Sequence, residues 1–510
     1  MKYQDHIPGT RDYTGAEAAR LLHIAETCAS TFDLYGYERI ILPVLERSDI
    51  FLQRSGEEIR RRMYILRDPG GREICLRPEM TISVARAFLE KMLYRRLPVR
   101  LSYQGNVFRY EKFREGRYRQ FWQTGIECIG SENRIAADVE AVSLALEAVK
   151  RAGIADFRLL LGDLELAAEF INALPVSANV RSRLLENLWR REAFNRLLKR
   201  LSESSSQNRA SADSASLELA EILSAMGERA SHLLVRQILS LFVEKEIGYR
   251  DLDEITERFL QRFTSGEAMH LPGECLEAAQ KYLSIAGAPE AALQQLNELL
   301  QSIGASPGPA FDALHRRVEL LTKQKIMPES VQLDLSFRRG IEYYTGFIFE
   351  IHCDYLGPVS QICGGGRYDR LLSALGAPRE IPAVGFAIGV DRLLLAIEKA
   401  SAKPVSRPNH SVDAVLTTVG QIEEAIAWRV AQTCREAGWR VRAELDRRRL
   451  SAILSHASEE GVPFAIIVGE DEMRDSCVRV KDMLRHKEEI VPIDRLRNYV
   501  LAVLERSRPD

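Results

Sequence analysis

The chain has 510 residues, more than one ordinary hydrophobic core accommodates, and this length predicts roughly two to four domains. It carries 70 Lys and Arg against 72 Asp and Glu, a formal net charge of -2, so any polyanion site must be a local patch. A hydrophobic fraction of 46% with 28% charged residues excludes a disordered chain and is typical of a globular one.

The eight cysteines are scattered and contain no Cys-x-x-Cys pair, which argues against a zinc site and against a disulfide framework. The first residues lack the apolar core of a signal peptide, and no apolar run is long enough to span a bilayer. We therefore expect a cytoplasmic protein with no membrane partner.

The first predicted elements are a helix and a strand. Apolar residues follow helical spacing over 15–36, and the stretch "ERIILPVLE" after it reads as a strand that meets Pro43. From about 70 to 130, short apolar runs alternate with charged turns, which is the pattern of antiparallel strands joined by polar hairpins.

Arginines and alternating polar residues are concentrated in this antiparallel region. The predicted hairpin "NVFRYEKFREGRYRQFWQTGIE" could bind a polyanion, because guanidinium groups grip phosphate oxygens in pairs, although a solvated surface hairpin has the same pattern. Polar residues on alternate strand positions, indicating either a polar pocket or charge pairs, are Arg77, Glu79 and Thr81; Arg109 and Glu111; and Gln123 and Glu127.

Helical periodicity replaces strand alternation between about 160 and 330, which predicts a helical insertion. Within it, "SESSSQNRASADSAS" (202–216) has little to bury and reads as a mobile loop. Strands resume with "VQLDLSFRRGIEYYTGFIFEIHCDYL", which contains an arginine pair beside a glycine and two tyrosines. The arginine pair gains nothing obvious from a strand, which indicates a chemical role for one of its members.

Two further stretches combine glycine with arginine. "CGGGRYDRL" (363–371) allows the backbone to approach a ligand closely, or forms a turn or bulge, and it matches neither a phosphate-binding loop nor a dinucleotide fingerprint. In "AVGFAIGVDRLLLAI" a strand leads through Gly389 into a helix with Arg392 in its first turn. This position opposes the helix dipole by about 0.3–1 kcal/mol and slightly favours a ligand role.

The end of the chain forms a module of its own. Residues 401–412 are rich in Pro and Ser and read as a linker, and residues 413–510 alternate strands and helices like a small α/β domain. The stretch "WRVRAELDRRRLSAILSHAS" in this module carries a local basic cluster, which is also the pattern of a solvated helix start.

These segments together resemble the class II aminoacyl-tRNA synthetases, and among them the histidine–tRNA ligases, over nearly the whole chain. "YGYERIILPVLE", "FRYEKFREGRYRQFWQTGIECIG" and "GFAIGVDRL" are similar to the three general class II motifs. "RRGIEYYTGFIFE" and "CGGGRYD" are similar to two peptides peculiar to the histidine branch, and these are the specific part of the resemblance.

The resemblance implies an α+β fold, with a class II antiparallel sheet flanked by helices. Residues 1–160 and 331–400 would form the catalytic core, 161–330 the helical insertion, 401–412 the linker and 413–510 an α/β anticodon-binding domain. It further implies a homodimer whose interface includes the first motif. Its substrates would be ATP, histidine and tRNA(His), with Mg²⁺ as cofactor and no metal cage made of protein ligands.

The resemblance also implies roles for single residues. Arg339 and Arg109 would grip the α-phosphate as catalytic residues. The nucleotide would be bound by Arg109, Glu111, Arg117 and Arg392. Histidine would be bound through its α-amino group by Glu79, Thr81 and Gln123, through its imidazole nitrogens by Glu127 and Tyr344, and in a pocket lined by Tyr343 and Tyr368.

Some features point instead to a paralogue, the regulatory subunit of ATP phosphoribosyltransferase, which has the synthetase core without aminoacylation activity. Met80 and Trp122 stand where many bacterial ligases have Gly and His, and the insertion looks long. The paralogue typically lacks the C-terminal module and often loses the phosphate-binding arginines, whereas this sequence has both. We therefore expect an active ligase that forms histidyl-adenylate and transfers histidine to tRNA, with the regulatory subunit as the alternative.

Overall fold

The computed structural model describes residues 7–52, 57–112, 114–188, 191–203, 226–242, 271–324, 330–400, 412–420, 424–444 and 449–506, with the single positions 222, 256, 260 and 422. The chain forms two compact units. The first comprises Met1–Arg11 and His23–Ala400, and the second Asp12–Leu22 and Ser401–Asp510.

The described strands belong to three sheets. In chain order they are β1 (Glu38–Arg39), β2 (Leu45–Arg47), β3 (Tyr64–Arg67), β4 (Glu73–Leu76), β5 (Val99–Phe108), β6 (Gln120–Ile129), β7 (Arg158–Asp163), β8 (Ala286–Gly287), β9 (Val331–Asp334), β10 (Phe347–His352), β11 (Gln361–Arg367), β12 (Ala383–Gly389), β13 (Ala414–Val419), β14 (Val441–Glu444), β15 (Phe464–Gly469), β16 (Cys477–Asp482) and β17 (Lys487–Pro492).

The described helices lie between these strands. They are α1 (Gly15–Leu34), α2 (Ser48–Leu52), α3 (Glu57–Arg60), α4 (Thr81–Lys91), α5 (Arg134–Arg151), α6 (Leu164–Ala173), α7 (Ala178–Asn187), α8 (Arg191–Glu203), α9 (Glu228–Phe242), α10 (Gly273–Ser284), α11 (Pro289–Ser302), α12 (Pro309–Lys323), α13 (Leu371–Ala374), α14 (Val390–Ala400), α15 (Glu424–Glu436), α16 (Leu450–Glu459), α17 (Glu470–Arg474) and α18 (Leu496–Arg506). Short 3₁₀ turns span Asp354–Val359 and Ile493–Arg495.

A nine-stranded sheet is the framework of the first unit, in the order β1-β5-β6-β12-β11-β10-β7-β9-β8. Its central strands are antiparallel, and the pairs β1–β5 and β7–β9 are parallel. The antiparallel prediction and the α+β fold class are therefore confirmed. The predicted strand around Pro43 is instead two short strands, β1 and β2, because the proline cannot donate a ladder hydrogen bond between them.

Helix α5 packs on this sheet and carries a buried ion-pair network. Both oxygens of Asp138 accept from Arg367 of β11, at 2.6 and 3.2 Å, and one also accepts from Arg317 of α12 at 2.8 Å. Asp369 also pairs with Arg367 at 2.9 Å, and Asp163 lies 3.6 Å from Arg317, so each buried arginine has a carboxylate besides Asp138. Pairing of this kind is the condition for burying ions. The network thus joins the last helix before β9 to the centre of the nine-stranded sheet.

The predicted helical insertion is helical from α6 to α12 in its described parts, with the two-residue strand β8 as the exception. Asp163 at the end of β7 begins this segment, because its Oδ1 accepts from the amides of Glu165 and Leu166 and caps α6. Most of the predicted mobile loop at 202–216 lies outside the described residues.

The second unit has its own five-stranded sheet, in the order β14-β13-β15-β16-β17, with helices packed on it. Its core includes Leu416, Trp439 and Ile466, so the predicted small α/β module is confirmed. In the predicted basic cluster, Arg440 and Arg442 form ion pairs with Asp413 and Glu460, and residues 445–448 lie outside the described part of the chain.

None of the helices that the structure describes combines the length and hydropathy needed to cross a membrane.

Candidate active site

A cavity of about 260 Å³ opens in the first unit where β5, β6, β11 and β12 approach the loop before β10. Six arginines line it, against the carboxylates of Glu111, Glu350 and Asp391. These arginines are Arg62, Arg109, Arg117, Arg338, Arg339 and Arg392. An enclosed surface with this excess of guanidinium groups favours a ligand with several negative charges.

The hairpin of β5 and β6 positions the first arginine. The backbone amide of Arg109, one residue past β5, donates to the carbonyl of Arg119 at 2.9 Å. Its Nε donates to the carbonyl of Pro78 at 2.8 Å, and the guanidinium lies over the Phe121 ring at 5.6 Å. One edge of the guanidinium is thereby fixed to the protein, and burial lowers the pKa of Arg109.

The same hairpin holds a carboxylate between two arginines. Glu111 Oε1 accepts from Arg62 Nη1 at 2.9 Å, and Glu111 Oε2 lies 3.6 Å from Arg117 Nη1. The turn closes with a bridge between Arg114 and Arg117. The hairpin therefore combines both readings of the sequence: Glu111 and Arg117 line the cavity, while Arg114 at the turn is exposed.

Arg392 lies in the first turn of α14, directly after β12, as the sequence predicts, and it lines the cavity. Its Nε donates to the carbonyl of Gly116 at 2.8 Å and its Nη1 to the carbonyl of Gln361 at 3.0 Å. Burial, followed by the nearby Arg109, lowers the pKa of Arg392 to about 10. Arg392 therefore remains cationic at neutral pH, and an anion in the cavity would relieve the repulsion from Arg109.

Arg339 enters the cavity from the loop before β10. Its guanidinium lies over the Tyr344 ring at 5.3 Å and against Gly364, where a Cβ atom would meet Arg339 Nη1 at 2.0 Å. The three glycines of "CGGGRYD" therefore form neither a turn nor a bulge. They lie within β11 and let a guanidinium and neighbouring strands pack against the backbone.

Arg338 differs from its neighbour Arg339, because its guanidinium is held by backbone carbonyls. Its Nε donates to the carbonyl of Leu188, and its Nη1 to the carbonyls of Leu335 and Phe337, each at 2.8 Å. It thus ties the loop to the end of α7.

Beside the cavity, two buried carboxylates are surrounded by tyrosines. Glu79 Oε2 accepts from Tyr343 Oη at 2.8 Å, and Glu79 Oε1 accepts from the amide of Ile82 at 3.1 Å. Glu127 accepts a short hydrogen bond from Tyr368 Oη and a longer one of 3.4 Å from Tyr103 Oη. Among the described residues, the hydrogen bonds to both carboxyl groups come from neutral donors, and the charge of Arg109 acts on Glu79 without a hydrogen bond between them.

Burial determines the protonation of this cluster. Burial raises the pKa of Glu127 to about 8, with the hydrogen bonds from Tyr368 and Thr81 opposing the shift and Glu79 adding to it. Burial likewise raises the pKa of Glu79, and it raises the pKa of Tyr344 to about 12. Two carboxyl groups held in this way favour a ligand with two separate N–H groups, at least one of them cationic.

Gln123 lines the cavity and stands on the same strand as Glu127 of the carboxylate cluster. It lies two strand positions from Gly125 and four from Glu127 on the same face of β6, as the alternation predicts, and its side chain lines the cavity. Its Oε1 is buried and has no hydrogen-bond partner among the described residues, so the amide is available to a ligand.

The structure brings all the predicted site residues into one region. Arg109, Glu111, Arg117, Gln123, Arg339 and Arg392 line the cavity, and Glu79, Thr81, Glu127, Tyr343, Tyr344 and Tyr368 form the adjoining cluster. The predicted strand through "CLRPEMT" is wrong, because β4 ends at Leu76 and Thr81 begins α4. Glu79 faces the cluster from the turn between these two elements.

Sequence reasoning missed several residues that the structure places here. Tyr103 contacts Glu127 across the β5–β6 pair, and its alternation with Gly105 on β5 was the available signal. Glu350, Gln361 and Arg62 contact the predicted arginines or Glu111 from other strands and loops, so no local pattern could reveal them.

Comparison with known families identifies relatives of both units. The family model for histidyl-tRNA synthetase matches residues 9–237 and 220–393, and the anticodon binding domain model matches residues 413–503. Histidine–tRNA ligase of Pyrococcus abyssi is 30% identical over 503 residues, covering 98% of this chain and 100% of the relative. Histidine–tRNA ligase of Thermococcus kodakarensis is 30% identical over 505 residues, covering 99% and 100%.

Solved structures share the fold at lower identity. The histidyl-tRNA synthetase of Staphylococcus aureus has a TM-score of 0.60 at 22% identity and covers 98% of this chain and 100% of its own. A Bacillus halodurans protein described as an ATP phosphoribosyltransferase regulatory subunit/histidyl-tRNA synthetase has a TM-score of 0.62 at 22% identity, covering 92% and 98%.

Proposed function

The chain belongs to the histidyl-tRNA synthetase family, and from this premise we propose how its site carries out histidine activation. The chain is an aminoacyl-tRNA ligase that activates histidine with ATP and transfers it to tRNA. The regulatory-subunit alternative is less supported, since residues 413–503 match the anticodon binding domain. Arg339, which lines the arginine-rich cavity, lies over the ring of Tyr344 in the tyrosine–carboxylate cluster, and this adjacency is the observation on which the residue assignments rest.

The cavity would bind ATP with its α-phosphate between Arg109 and Arg339 and its outer phosphates near Arg117 and Arg392. A carboxylate oxygen of histidine attacks the α-phosphorus, a C(O)–O–P bond forms, and the bond from the α-phosphorus to the pyrophosphate oxygen breaks. No side-chain base is required, because the attacking carboxylate is already ionised at neutral pH. The fixed guanidinium groups stabilise the charge that develops on the α-phosphate.

The adjoining cluster would bind histidine. Glu79, Thr81 and Gln123 are positioned for the ammonium group, and Glu127 with Tyr344 for the two ring nitrogens, while Tyr343 and Tyr368 enclose the ring. An imidazole has a nitrogen on each side, so a pocket with a polar partner on each side leaves a buried group unsatisfied when another amino acid enters. Such selection is worth on the order of 10⁴-fold in favourable cases.

Magnesium would be held chiefly by the nucleotide. Mg²⁺ usually takes one or two carboxylates together with substrate phosphates, and Glu111 on the cavity wall fits that donor set. When bound, the ion neutralises phosphate charge. Arg62 and Arg117 hold the Glu111 carboxylate at the cavity wall.

We also propose domain boundaries, a homodimer contact and a cellular location. The catalytic core would comprise residues 1–160 and 331–400, with 161–330 as its insertion, 401–412 as a linker and 413–510 as the part that binds the anticodon of tRNA(His). Ile41, which is 99% exposed, together with Leu45 and Leu66, would form an apolar homodimer contact. A cytoplasmic location fits the eight cysteines, which are all buried free thiols.

Histidine-dependent ATP–pyrophosphate exchange tests the function and the role of Arg339 together. Wild-type protein should exchange with histidine, and Arg339→Ala should slow exchange about 10²–10³-fold, as for the loss of one transition-state contact, with little change in the KM for histidine. Arg158→Ala, which removes an arginine paired with Asp354 outside the cavity, serves as the control and should exchange normally. Wild-type protein that exchanges with no amino acid would contradict the ligase function.

A further inference from the structure

Glu350 stands behind the guanidinium group of Arg339. Its side chain on β10 is 14% exposed and reaches the cavity wall. Its Oε1 lies 3.6 Å from Arg339 Nε and accepts a hydrogen bond of 2.8 Å from Gln361 Nε2. Glu350 is thus the carboxylate that faces the Nε edge of Arg339, the proposed catalytic arginine.

A histidine and a serine fix the orientation of this carboxylate. His352 Nε2 lies 3.0 Å from Glu350 Oε2, and His352 Nδ1 lies 3.0 Å from Ser360 Oγ. A ring protonated on Nε2 donates to Glu350 and accepts from the serine hydroxyl, so both ring nitrogens are satisfied. With one oxygen held by His352, the other is directed at Arg339 and Gln361.

The other contacts of Arg339 involve its Nη1 atom and its stacked face. Nη1 donates long hydrogen bonds to the carbonyl of Phe349 at 3.3 Å and to that of Gly365 at 3.5 Å, and stacking on Tyr344 leaves rotation within the ring plane open. The cavity also holds several other arginines, which repel Arg339. A fixed negative charge at the Nε edge resists both displacements.

The group that holds Glu350 also contacts a second arginine. Gln361 donates through its side chain to Glu350, and its backbone carbonyl accepts from Arg392 Nη1 at 3.0 Å. The first residue of β11 therefore sets the spacing between Arg339 and Arg392, the two cations assigned to different phosphates of the nucleotide.

We propose that Glu350, held by His352 and Gln361, is a positioning residue that orients Arg339 toward the α-phosphate. It contacts neither substrate and acts through the arginine. The inference rests on the proposed function of the cavity. It predicts that loss of the carboxylate slows the chemical step and leaves the binding of histidine unchanged.

The test is Glu350→Gln in the full-length protein, with histidine-dependent ATP–pyrophosphate exchange as the assay. Glutamine retains the shape and the acceptor oxygen but removes the charge. We expect kcat to fall about 10–100-fold, as for other partners that orient a catalytic group, with the KM for histidine and the melting temperature close to wild type. His352→Gln should reduce kcat by a smaller factor.

A double-mutant cycle separates positioning from a merely structural role. In the Arg339→Ala background, Glu350→Gln should cause little further loss, because the arginine that it orients is already absent. An equal loss in both backgrounds would overturn the proposal, as would a wild-type kcat for Glu350→Gln. A raised Mg²⁺ requirement in Glu350→Gln would also overturn it, because the carboxylate would then be a metal ligand.

Two further variants complete the design. Glu140→Gln is the matched control, since Glu140 likewise accepts from an arginine, Arg100 at 3.2 Å, and from Tyr37 at 3.0 Å, and it should exchange at the wild-type rate. Gly364→Ala places a methyl group against Arg339 from the neighbouring strand β11 and should also lower kcat, and a wild-type rate would contradict the packing on which the proposal depends. If wild-type protein shows no exchange, the result contradicts the proposed function of the cavity and not the positioning role of Glu350.

Discussion

Glu79 and Glu127 are carboxyl groups in a pocket that provides tyrosine hydroxyls and no arginine bonded to them in the described structure. Structural ion pairs in the same unit are built differently, because Asp138 is buried with two arginines. The contrast supports the proposal that the two glutamates bind a cationic ligand. An amino acid with an ammonium and a ring N–H meets that need.

The raised pKa of Glu127 makes stability depend on pH. The ordinary value is 4.5 and the folded value about 8, so between these pH values the folded state binds a proton that the unfolded state has lost. Stability is therefore highest below pH 4.5 with respect to this group and is lost as pH rises toward 8, by at most about 1.4 kcal/mol per pH unit.

Melting temperatures from pH 5 to 8.5 at constant ionic strength measure this dependence. Glu127→Gln should flatten the decline, since the amide does not titrate, and Glu140→Gln should retain it. The same slope in wild type and Glu127→Gln would show that Glu127 is not the group responsible.

The site residues that could be predicted from the sequence are those on alternating strand positions or in recognisable peptides. Gln123 and Glu127 are of this kind, and both face the site. Glu350 was not predictable, because its position beside Arg339 depends on how a loop folds back over β10 and β11. Side chains that come together only through tertiary folding have no characteristic spacing in the sequence.

At the scale of elements, the sequence predicted the types better than the ends. Helix α1, the β5–β6 hairpin and the transition from β12 to α14 were predicted from periodicity and turn signals. The turn at Glu79 was misread as a strand, because "RPEMT" preserves polar alternation while Pro78 leads into the start of α4. Local alternation cannot distinguish a strand from a turn that presents the same side chains.

Strand β11 shows why three glycines stand in a row. A Cβ atom at Gly365 would lie 2.5 Å from the carbonyl of Gly385, and one at Gly366 would lie 2.7 Å from Ile348. Together with Gly364 beneath Arg339, these positions allow the central strands and the Arg339 guanidinium to approach closely. The glycine run therefore serves the packing of both the strands and this guanidinium.

A substitution in the proposed apolar contact, which consists of Ile41, Leu45 and Leu66, tests the homodimer. Ile41→Asp should shift the protein from dimer to monomer in sedimentation velocity, because a carboxylate would be buried without a partner at the interface. Ile490→Asp, on strand β17 at 70% exposure, is the control and should leave the mass unchanged. A wild-type monomer, or an Ile41→Asp dimer of unchanged affinity, would contradict this contact.

At the scale of the whole molecule, separate cores allow activation and tRNA binding to be tested apart. The second unit packs around Leu416, Trp439 and Ile466, and the tyrosine–carboxylate cluster belongs to a core in the first unit. The α/β type of the second unit was predictable, since the alternation of strand and helix patterns after residue 412 is a sequence property. The buried Asp138 network was not, because its members come from three distant segments.

Removal of residues 411–510 should affect the two reactions unequally. Pyrophosphate exchange should persist, because the cavity is made by the first unit, whereas tRNA charging should fall about 10²-fold or more through the loss of a second contact with the same tRNA. Both assays on one preparation, with melting curves to confirm folding, provide the measurement. Unchanged charging would remove the assignment of an anticodon-binding role.

The pairing of β6 with β12 has a consequence for synthesis on the ribosome. Glu127 and its partner Tyr368 are 241 residues apart, which at the usual rate of translation is an interval on the order of 10–50 s. During that interval the nascent chain carries half of a pocket, with two hydrated glutamates and one edge of β6 without its neighbour. The helices from α6 to α12 emerge first, so an early stop in translation before β12 would release a chain with an open strand edge, the kind of surface that chaperones bind and aggregates extend.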